Sequence, residues 1–157
     1  MLAEQVMISD PCTAHIGESV GEVLVRMRAA RLRMLPVIDQ SEVVVGVVST
    51  FSILEHIVPN YIVSGDLNQI SYAPDMGILR RHYDAYAYKN ISEVMDATPL
   101  LVNRDESLLS VAAAMISFGK HEYALVVDHQ KKLLGIISAG DILDQLQLLK
   151  LDDGNDA

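Results

Sequence analysis

The chain has 157 residues, half of them hydrophobic, yet aromatics make up only 5% and tryptophan is absent. Any core must therefore be aliphatic, built from Val, Ile, Leu, Ala and the seven Met, a composition that suits buried strands flanked by small-residue helices. A net charge of −9 argues against non-specific binding to DNA or RNA, which depends on Lys and Arg neutralising phosphates, and a single cysteine, Cys12, excludes an intramolecular disulfide framework.

The Met1–Val6 start carries Glu4 and no basic run, so it does not read as a secretory signal. No apolar run reaches membrane-spanning length, and a cytoplasmic location without membrane contact is expected. Val6-Met7 is followed by Asp10-Pro11 and then by Glu18-Ser19-Val20. Val20, Val23, Leu24 and Met27 keep the i, i+3, i+4, i+7 spacing of a helix with one apolar face, and Ser19 with Glu22 fits a capping box at its start. Leu35-Pro36-Val37-Ile38-Asp39 reads as a short strand ended by an acid at a polar turn. Val43–Ser49, containing Gly46, reads as the next strand.

From Val58 to Asn90 the connection is longer than most loops of a compact domain. Pro59, Gly65, Pro74 and Gly77 suit an irregular flap, and Ile78, Leu79, Tyr83 and Tyr86 suit a short amphipathic helix. The opening pattern then returns. Val94-Met95 precedes Thr98-Pro99, with Pro99 lying 88 residues after Pro11. Glu106-Ser107-Leu108 follows, and Leu108, Val111, Ala112 and Met115 repeat the helical stripe. Ala124-Leu125-Val126-Val127-Asp128 matches the Leu35 strand, and Lys132–Ser138 matches Val43–Ser49, now 89 residues on. The one-residue drift places an insertion near Phe118–Lys120. Each copy reads strand, helix, strand, strand, helix, and this repetition is the strongest fold signal in the sequence. Units of this size are marginal alone, since domains below roughly 60 residues bury too little surface. The expected fold is α/β (α+β), two β-α-β-β-α repeats packed through their sheets as one pseudo-twofold module. The repeats are placed at 2–58 and 90–150, with a connection at 59–89 and a disordered acidic tail at 151–157.

The second copy ends in Gly135-Ile136-Ile137-Ser138-Ala139-Gly140-Asp141, a strand that turns into a helix over Ile142–Leu149. A helix start leaves backbone N–H groups without intrahelical partners, so an anion can bind there. Ser138 can donate to a phosphate and Asp141 can accept from paired hydroxyls. The plainer reading makes Asp141 a helix cap and Gly140 a turn residue.

Taken together, the Val-Met…Pro starts, the Leu-Pro-Val-Ile-Asp strand and the Gly-apolar-apolar-Ser-x-x-Asp turn resemble the cystathionine β-synthase (CBS) domain family over about residues 2–58 and 90–150. The resemblance implies a tandem pair that dimerises and binds adenine nucleotides, or related adenosine compounds, between its repeats. It assigns the ribose hydroxyls to Asp141, phosphate to Ser138 and the face of the base to Ile136. From repeat 1 it adds Ile8, Cys12, Leu32 and Arg33 around the base, Arg33 through backbone groups. Repeat 1 departs from the pattern, reading Gly46-Val47-Val48-Ser49-Thr50-Phe51-Ser52, with Ser52 where the acid should stand. A hydroxyl cannot replace a charged, doubly accepting carboxylate. The second cleft, with Ser49, Ser52 and His121, is expected to bind an adenosine ligand weakly or not at all.

Other groups are read as structural. Arg26 and Arg28 are expected on a solvated helix face, with Arg31 and Arg33 nearer the site, and Arg80-Arg81-His82 forms a second small basic cluster. The five His residues show no metal-ligand spacing, and Cys12 has no base paired with it that would make it a nucleophile. No phosphate-loop or dinucleotide glycine fingerprint occurs. The expectation is a regulatory protein, not an enzyme, that requires no cofactor, takes AMP, ADP or ATP as regulatory ligand, and signals as a homodimer to a separate protein. The alternatives are a dimerisation or interaction scaffold with a vestigial site, and a sensor of S-adenosylmethionine, NAD or a cyclic dinucleotide.

Overall fold

The computed structural model describes residues 1–65 and 76–153, with side chains up to Leu149. The chain begins with α1 (Ala3–Val6), β1 (Ile8–Ser9) and β2 (Ala14–His15), followed by α2 (Val20–Ala30), β3 (Met34–Ile38), β4 (Val44–Ser49) and α3 (Thr50–Ile57). The connection holds α4 (Asn60–Val63), α5 (Met76–Ala87) and a 3-10 turn at Ile91–Glu93. The second copy is β5 (Leu101–Asn103), α6 (Leu108–Phe118), β6 (Tyr123–Val127), β7 (Leu133–Ser138) and α7 (Ala139–Asp153). Strand-helix-strand-strand-helix thus occurs twice in an α/β fold. The amphipathic helix expected around Ile78–Tyr86 is α5. Residues 66–75 of the expected flap, Pro74 among them, lie outside the described residues, as do residues 154–157 of the expected acidic tail.

The elements gather into two compact units that cut across the sequence repeats. One, the α7 unit, consists of Met1–Cys12, Ser41–Val44 and Thr98–Ala157; the other, the α3 unit, consists of Thr13–Gln40 and Val45–Ala97. The α7 unit holds a four-stranded sheet in the order β1-β7-β6-β5, and the α3 unit a three-stranded sheet in the order β2-β3-β4. The lead-in to repeat 1 is therefore an edge strand on the sheet of repeat 2. There β1 pairs antiparallel with β7, Ile8 opposite Ile136 and Ser9 opposite Gly135. The lead-in to repeat 2 does the same in the α3 unit, where Val47 and Asp96 exchange both backbone hydrogen bonds, at 2.9 and 2.8 Å.

These crossings explain the glycine in each strand. A Cβ on Gly135 would lie 2.6 Å from Met7 Sδ and 2.8 Å from the Ile8 carbonyl oxygen. One on Gly46 would lie 2.7 Å from both Met95 Sδ and the Asp96 carbonyl oxygen. The Val-Met blocks and the glycine blocks, distant in sequence, are two sides of one contact in each unit, and only glycine admits the crossing strand.

Helix ends follow from local chemistry. Ser19 accepts from the Glu22 N–H while Glu22 accepts from the Ser19 N–H, closing the expected capping box. α2 ends on Arg31 in the left-handed conformation (φ 55°, ψ 38°), and α6 ends on the equivalent Gly119 (φ 67°). In β6 the Leu125 N–H donates to the Leu100 carbonyl at 2.9 Å. The matching residue in β3 is Pro36, which has no N–H to give, and β2 pairs with β3 only from Val37 onward.

In the α7 unit one face of the sheet packs on the helices. Ala3, Val102, Val111, Met115, Ala124, Val126 and Ile137 form an aliphatic core, supported by Met7, Leu134 and Ile142. Burying such side chains contributes roughly 1.5–3 kcal/mol each for the larger ones. By strand register, Ile8, Ile136, Leu125 and Leu101 share the opposite face. In the α3 unit Val20, Val23, Met27, Leu35, Val48, Ile53 and Ile91 are buried, and α5 packs on α2 and α3.

Candidate functional site

Strand β7 delivers Ser138 to the start of α7 in extended backbone, and the turn closes as a capping box. The Asp141 N–H donates to Ser138 Oγ at 3.1 Å, and the Ser138 N–H donates to Asp141 Oδ2 at 2.8 Å. The Ala139 N–H donates to the Glu122 carbonyl at 2.9 Å. Three N–H groups of the turn are thus spent on protein acceptors. An anion arriving here would use the Gly140 N–H and the Ser138 hydroxyl proton. A Cβ at Gly140 would meet nothing nearer than Ser138 Oγ at 3.6 Å, so the turn has room above it.

Asp141 is half-buried and fills the cap role of the plainer reading. Oδ2 is held by the cap. The other carboxylate oxygen keeps its acceptor capacity, which suits a donor such as a hydroxyl.

Of the other expected residues, Ile136 and Ile8 stand directly opposite one another in the α7 unit, Ile8 exposed and Ile136 half-buried. Half-buried Cys12 belongs to the same unit. Leu32 and Arg33 belong to the α3 unit, exposed just beyond the left-handed end of α2. Of the residues assigned to the second cleft, Ser49 and Ser52 lie in the α3 unit, whereas His121 lies in the α7 unit with its ring 5.9 Å from that of Phe118.

The Ser49 turn repeats the geometry of the Ser138 turn group for group. The Ser52 N–H donates to Ser49 Oγ at 2.9 Å, and the Ser49 N–H donates to Ser52 Oγ at 3.0 Å. The Thr50 N–H donates to the Arg33 carbonyl at 2.9 Å, as Ala139 does to Glu122. Ser52 Oγ thus takes the place of Asp141 Oδ2, and its own proton goes to the Ser49 carbonyl at 2.9 Å. Nothing corresponding to the second carboxylate oxygen remains.

Two features escape the sequence reading. Arg26, expected on a solvated face, is partly exposed and also held: it ion-pairs with Glu18 and donates to the Thr13 carbonyl at 2.9 Å. The Arg26 hydrogen bond, helped by the His15 N–H, overcomes burial and lowers the Glu18 pKa from 4.5 to about 2. Glu18 sits eight residues before Arg26, a spacing that carries no helical signal because the helix starts between them. The second feature is Glu122, whose place beside the α7 start emerges only when the repeats are aligned at the 89-residue offset that matches it to Arg33. Among the described residues no cluster of His, Cys, Asp and Glu could hold a metal ion.

Comparison with known proteins agrees with this architecture. A family model for the CBS domain matches residues 3–59 and again 91–148. No curated protein matches the sequence. Among solved structures, a CBS domain-containing protein of unknown function from Bacillus anthracis str. Ames Ancestor is 19% identical, with a TM-score of 0.73 over 94% of this chain and 93% of its own. CBSX2 in complex with AMP is 22% identical, with a TM-score of 0.72 over 95% of this chain and 98% of its own. The CBS domain pair of protein MJ0100, in complex with 5′-methylthioadenosine and S-adenosyl-L-methionine, is 20% identical, with a TM-score of 0.66 over 94% and 96%. At these identities the likeness is one of fold, and with the two matches of the family model it leads to one conclusion: the chain belongs to the CBS domain family and carries that domain twice.

Proposed function

We propose that this protein is a regulatory module whose Ser138–Asp141 turn binds an adenine nucleotide of the AMP, ADP or ATP type. The observation that carries the reading is the surplus at Asp141: the helix cap uses one carboxylate oxygen, and the other faces no requirement of the fold. Its use would be to accept the ribose hydroxyls, with the Ser138 hydroxyl and the Gly140 N–H on the phosphate. Ile136 and Ile8 supply apolar surface on the same strand pair, and Cys12, Leu32 and Arg33 complete the set that the sequence resemblance assigns to the base. The Ser49–Ser52 turn, lacking the second carboxylate oxygen, is proposed to bind adenosine weakly or not at all.

The ligand would act by binding one conformation of the module better than another, and the output would pass to a separate protein. The reading is regulatory rather than catalytic, in a cytoplasmic setting that accords with the lone cysteine. Self-association is part of the proposal. Phe51 and Leu54 on α3, Leu109 and Ile116 on α6, and Leu143 and Leu146 on α7 are all at least half exposed, more apolar surface than a lone surface helix carries.

A thermal-shift screen of the wild type and Asp141→Ala against adenosine, AMP, ADP, ATP, S-adenosylmethionine and NAD tests the site. A shift of several degrees that is absent in the variant supports it. Shifts with no compound would move the reading to an interaction scaffold.

A further inference from the structure

Helix α5 is an amphipathic element that its own unit covers incompletely. Ile78, Leu79, Tyr83 and Tyr86 give it apolar positions, yet none of its 12 residues is buried. A helix of that length is marginal alone, and this one is held by its packing on α2 and α3. Two of its faces border grooves. Met76, Leu79, Arg80 and Tyr83, spaced i, i+3, i+4, i+7, line a groove of about 570 Å³ together with Leu54 and Ile57 of α3. On the opposite flank Ile78, Arg81, His82 and Ala85, spaced the same way, line a hollow of about 290 Å³ with Tyr61 of α4. Both lie within the α3 unit, and both are open, since Leu54, Tyr61 and Met76 are at least half exposed. Small-molecule sites enclose about 70–90% of their ligand, whereas grooves this open suit an apolar segment presented by another chain.

Charge decides what that segment carries. Apart from tyrosine, the ionisable groups lining the two grooves are all basic: Arg80, Arg81 and His82. Arg80 pairs with Asp84 at 3.2 Å, but the pair is exposed and a guanidinium has donors to spare. Among the described residues Arg81 has no carboxylate partner. Lys89, just beyond α5, lies over the Tyr86 ring, and His56 of α3 donates to the Ser52 carbonyl at 2.8 Å. Glu55, the carboxylate of α3, lines neither groove. In a chain of net charge −9 the rim of these grooves is therefore complementary to carboxylates.

We propose that α5 is the docking helix for a partner protein, which seats an apolar segment in the α3–α5 groove and sets its carboxylates on Arg80 and Arg81. The inference rests on the reading above only in that the output passes to a separate protein. It does not require the Ser138–Asp141 turn to bind a nucleotide.

The test is fluorescence anisotropy of the full chain with labelled designed peptides of one length. The first is an amphipathic helix of leucine and glutamate, the second has lysine in place of glutamate, and the third has serine in place of leucine. A net charge of −9 draws the lysine peptide to the rest of the surface, so a preference for glutamate isolates α5. The leucine–glutamate peptide is expected to bind about tenfold or more tightly than its lysine counterpart, and the serine peptide not to bind. Met76→Glu should abolish binding, and Arg80→Glu combined with Arg81→Glu should reverse the preference. All three positions are exposed, and urea midpoints check that the fold is kept. Leu148→Glu, at an exposed apolar position on α7, should change nothing. The proposal is overturned if the leucine–glutamate peptide does not bind, if the two leucine peptides bind equally, or if Leu148→Glu rather than Met76→Glu removes binding. It also falls if Met76→Glu dissociates a dimer in sedimentation without peptide, because a second copy then fills the groove. Peptide binding in a protein whose melting no adenosine compound shifts supports the docking surface and removes only the nucleotide reading.

Discussion

Replacing Asp141 by Ser separates the two roles of this residue, because the chain already contains the product of that substitution in its other turn. Ser52 Oγ accepts from the Ser49 N–H at 3.0 Å, where Asp141 Oδ2 accepts from the Ser138 N–H at 2.8 Å. Asp141→Ser should therefore retain the cap and lose only the interaction of an acid with the helix dipole, about 0.3–1 kcal/mol. In a chain of this size that is a fall in Tm of no more than about 4 °C. Asp141→Ala strips the acceptor from the Ser138 N–H and should cost about 1–2 kcal/mol, with a Tm shift up to twice as large. Binding should respond the other way round. Both substitutions remove a charged acceptor, and hydrogen bonds to charged groups contribute about 1.5–3 kcal/mol. AMP should then bind ten- to a hundredfold more weakly to either variant. The assay pairs urea unfolding with calorimetry on the same preparations. Asp141→Ser as unstable as Asp141→Ala would refute the equivalence of the two turns, and an unchanged Kd would refute a ligand role for the carboxylate.

Gly135→Ala forces a Cβ to within 2.8 Å of the Ile8 carbonyl oxygen and should destabilise by about 1–3 kcal/mol, whereas Gly140→Ala, with 3.6 Å to its nearest neighbour, should be neutral or stabilising by up to about 1 kcal/mol. Urea midpoints of the two variants check the contrast. Arg31→Gly should stabilise by about 0.5–1 kcal/mol, because Arg31 holds a left-handed conformation that its counterpart Gly119 adopts without Cβ strain; an unchanged or lower urea midpoint counts against this. Glu18 titrates in the folded state at about 2, below its ordinary 4.5. The unfolded chain binds the proton first, so the contribution of Glu18 is complete above pH 4.5 and is lost as pH falls toward 2. Glu18→Gln should flatten that limb of the stability–pH curve while lowering stability at pH 7, where Arg26 loses the Glu18 carboxylate; an unchanged acid limb would place the effect elsewhere.

Most of the architecture was legible because the chain states it twice. The stripe at Val20, Val23, Leu24 and Met27 and its echo at Leu108, Val111, Ala112 and Met115 specify helices by periodicity, and the serines before them specify where those helices begin. What could not be read was which sheet each lead-in joins. Ile8 is close in sequence to repeat 1 and pairs with Ile136 in repeat 2, and a two-residue edge strand has too few side chains to announce its partner. The glycines at 46 and 135 served as markers of the repeat. Their cause, a methionine crossing at Cβ distance, is a contact between distant segments that no local pattern encodes. The contacts of Arg26 were hidden for the same kind of reason, because its acceptors, Glu18 and the Thr13 carbonyl, lie before the helix that carries it.

The site was legible as residues but not as an arrangement. From sequence, the cap reading and the ligand reading of Asp141 compete; in three dimensions the cap takes one carboxylate oxygen, and the proposed ligand reading needs only the other. The Ser49 turn shows that a hydroxyl is enough to start a helix at this place in the fold. The carboxylate at 141 therefore brings more than the cap needs: a second oxygen with two lone pairs. A group that supplies acceptor capacity beyond the cap makes chemical sense if a donor comes to meet it. A pair of ribose hydroxyls is such a donor, and it is uncharged, so it meets the carboxylate without adding to the charge at the turn. On the proposed reading, ligand recognition and the helix cap share one side chain, and exchanging Asp141 for the serine of the other repeat would uncouple them.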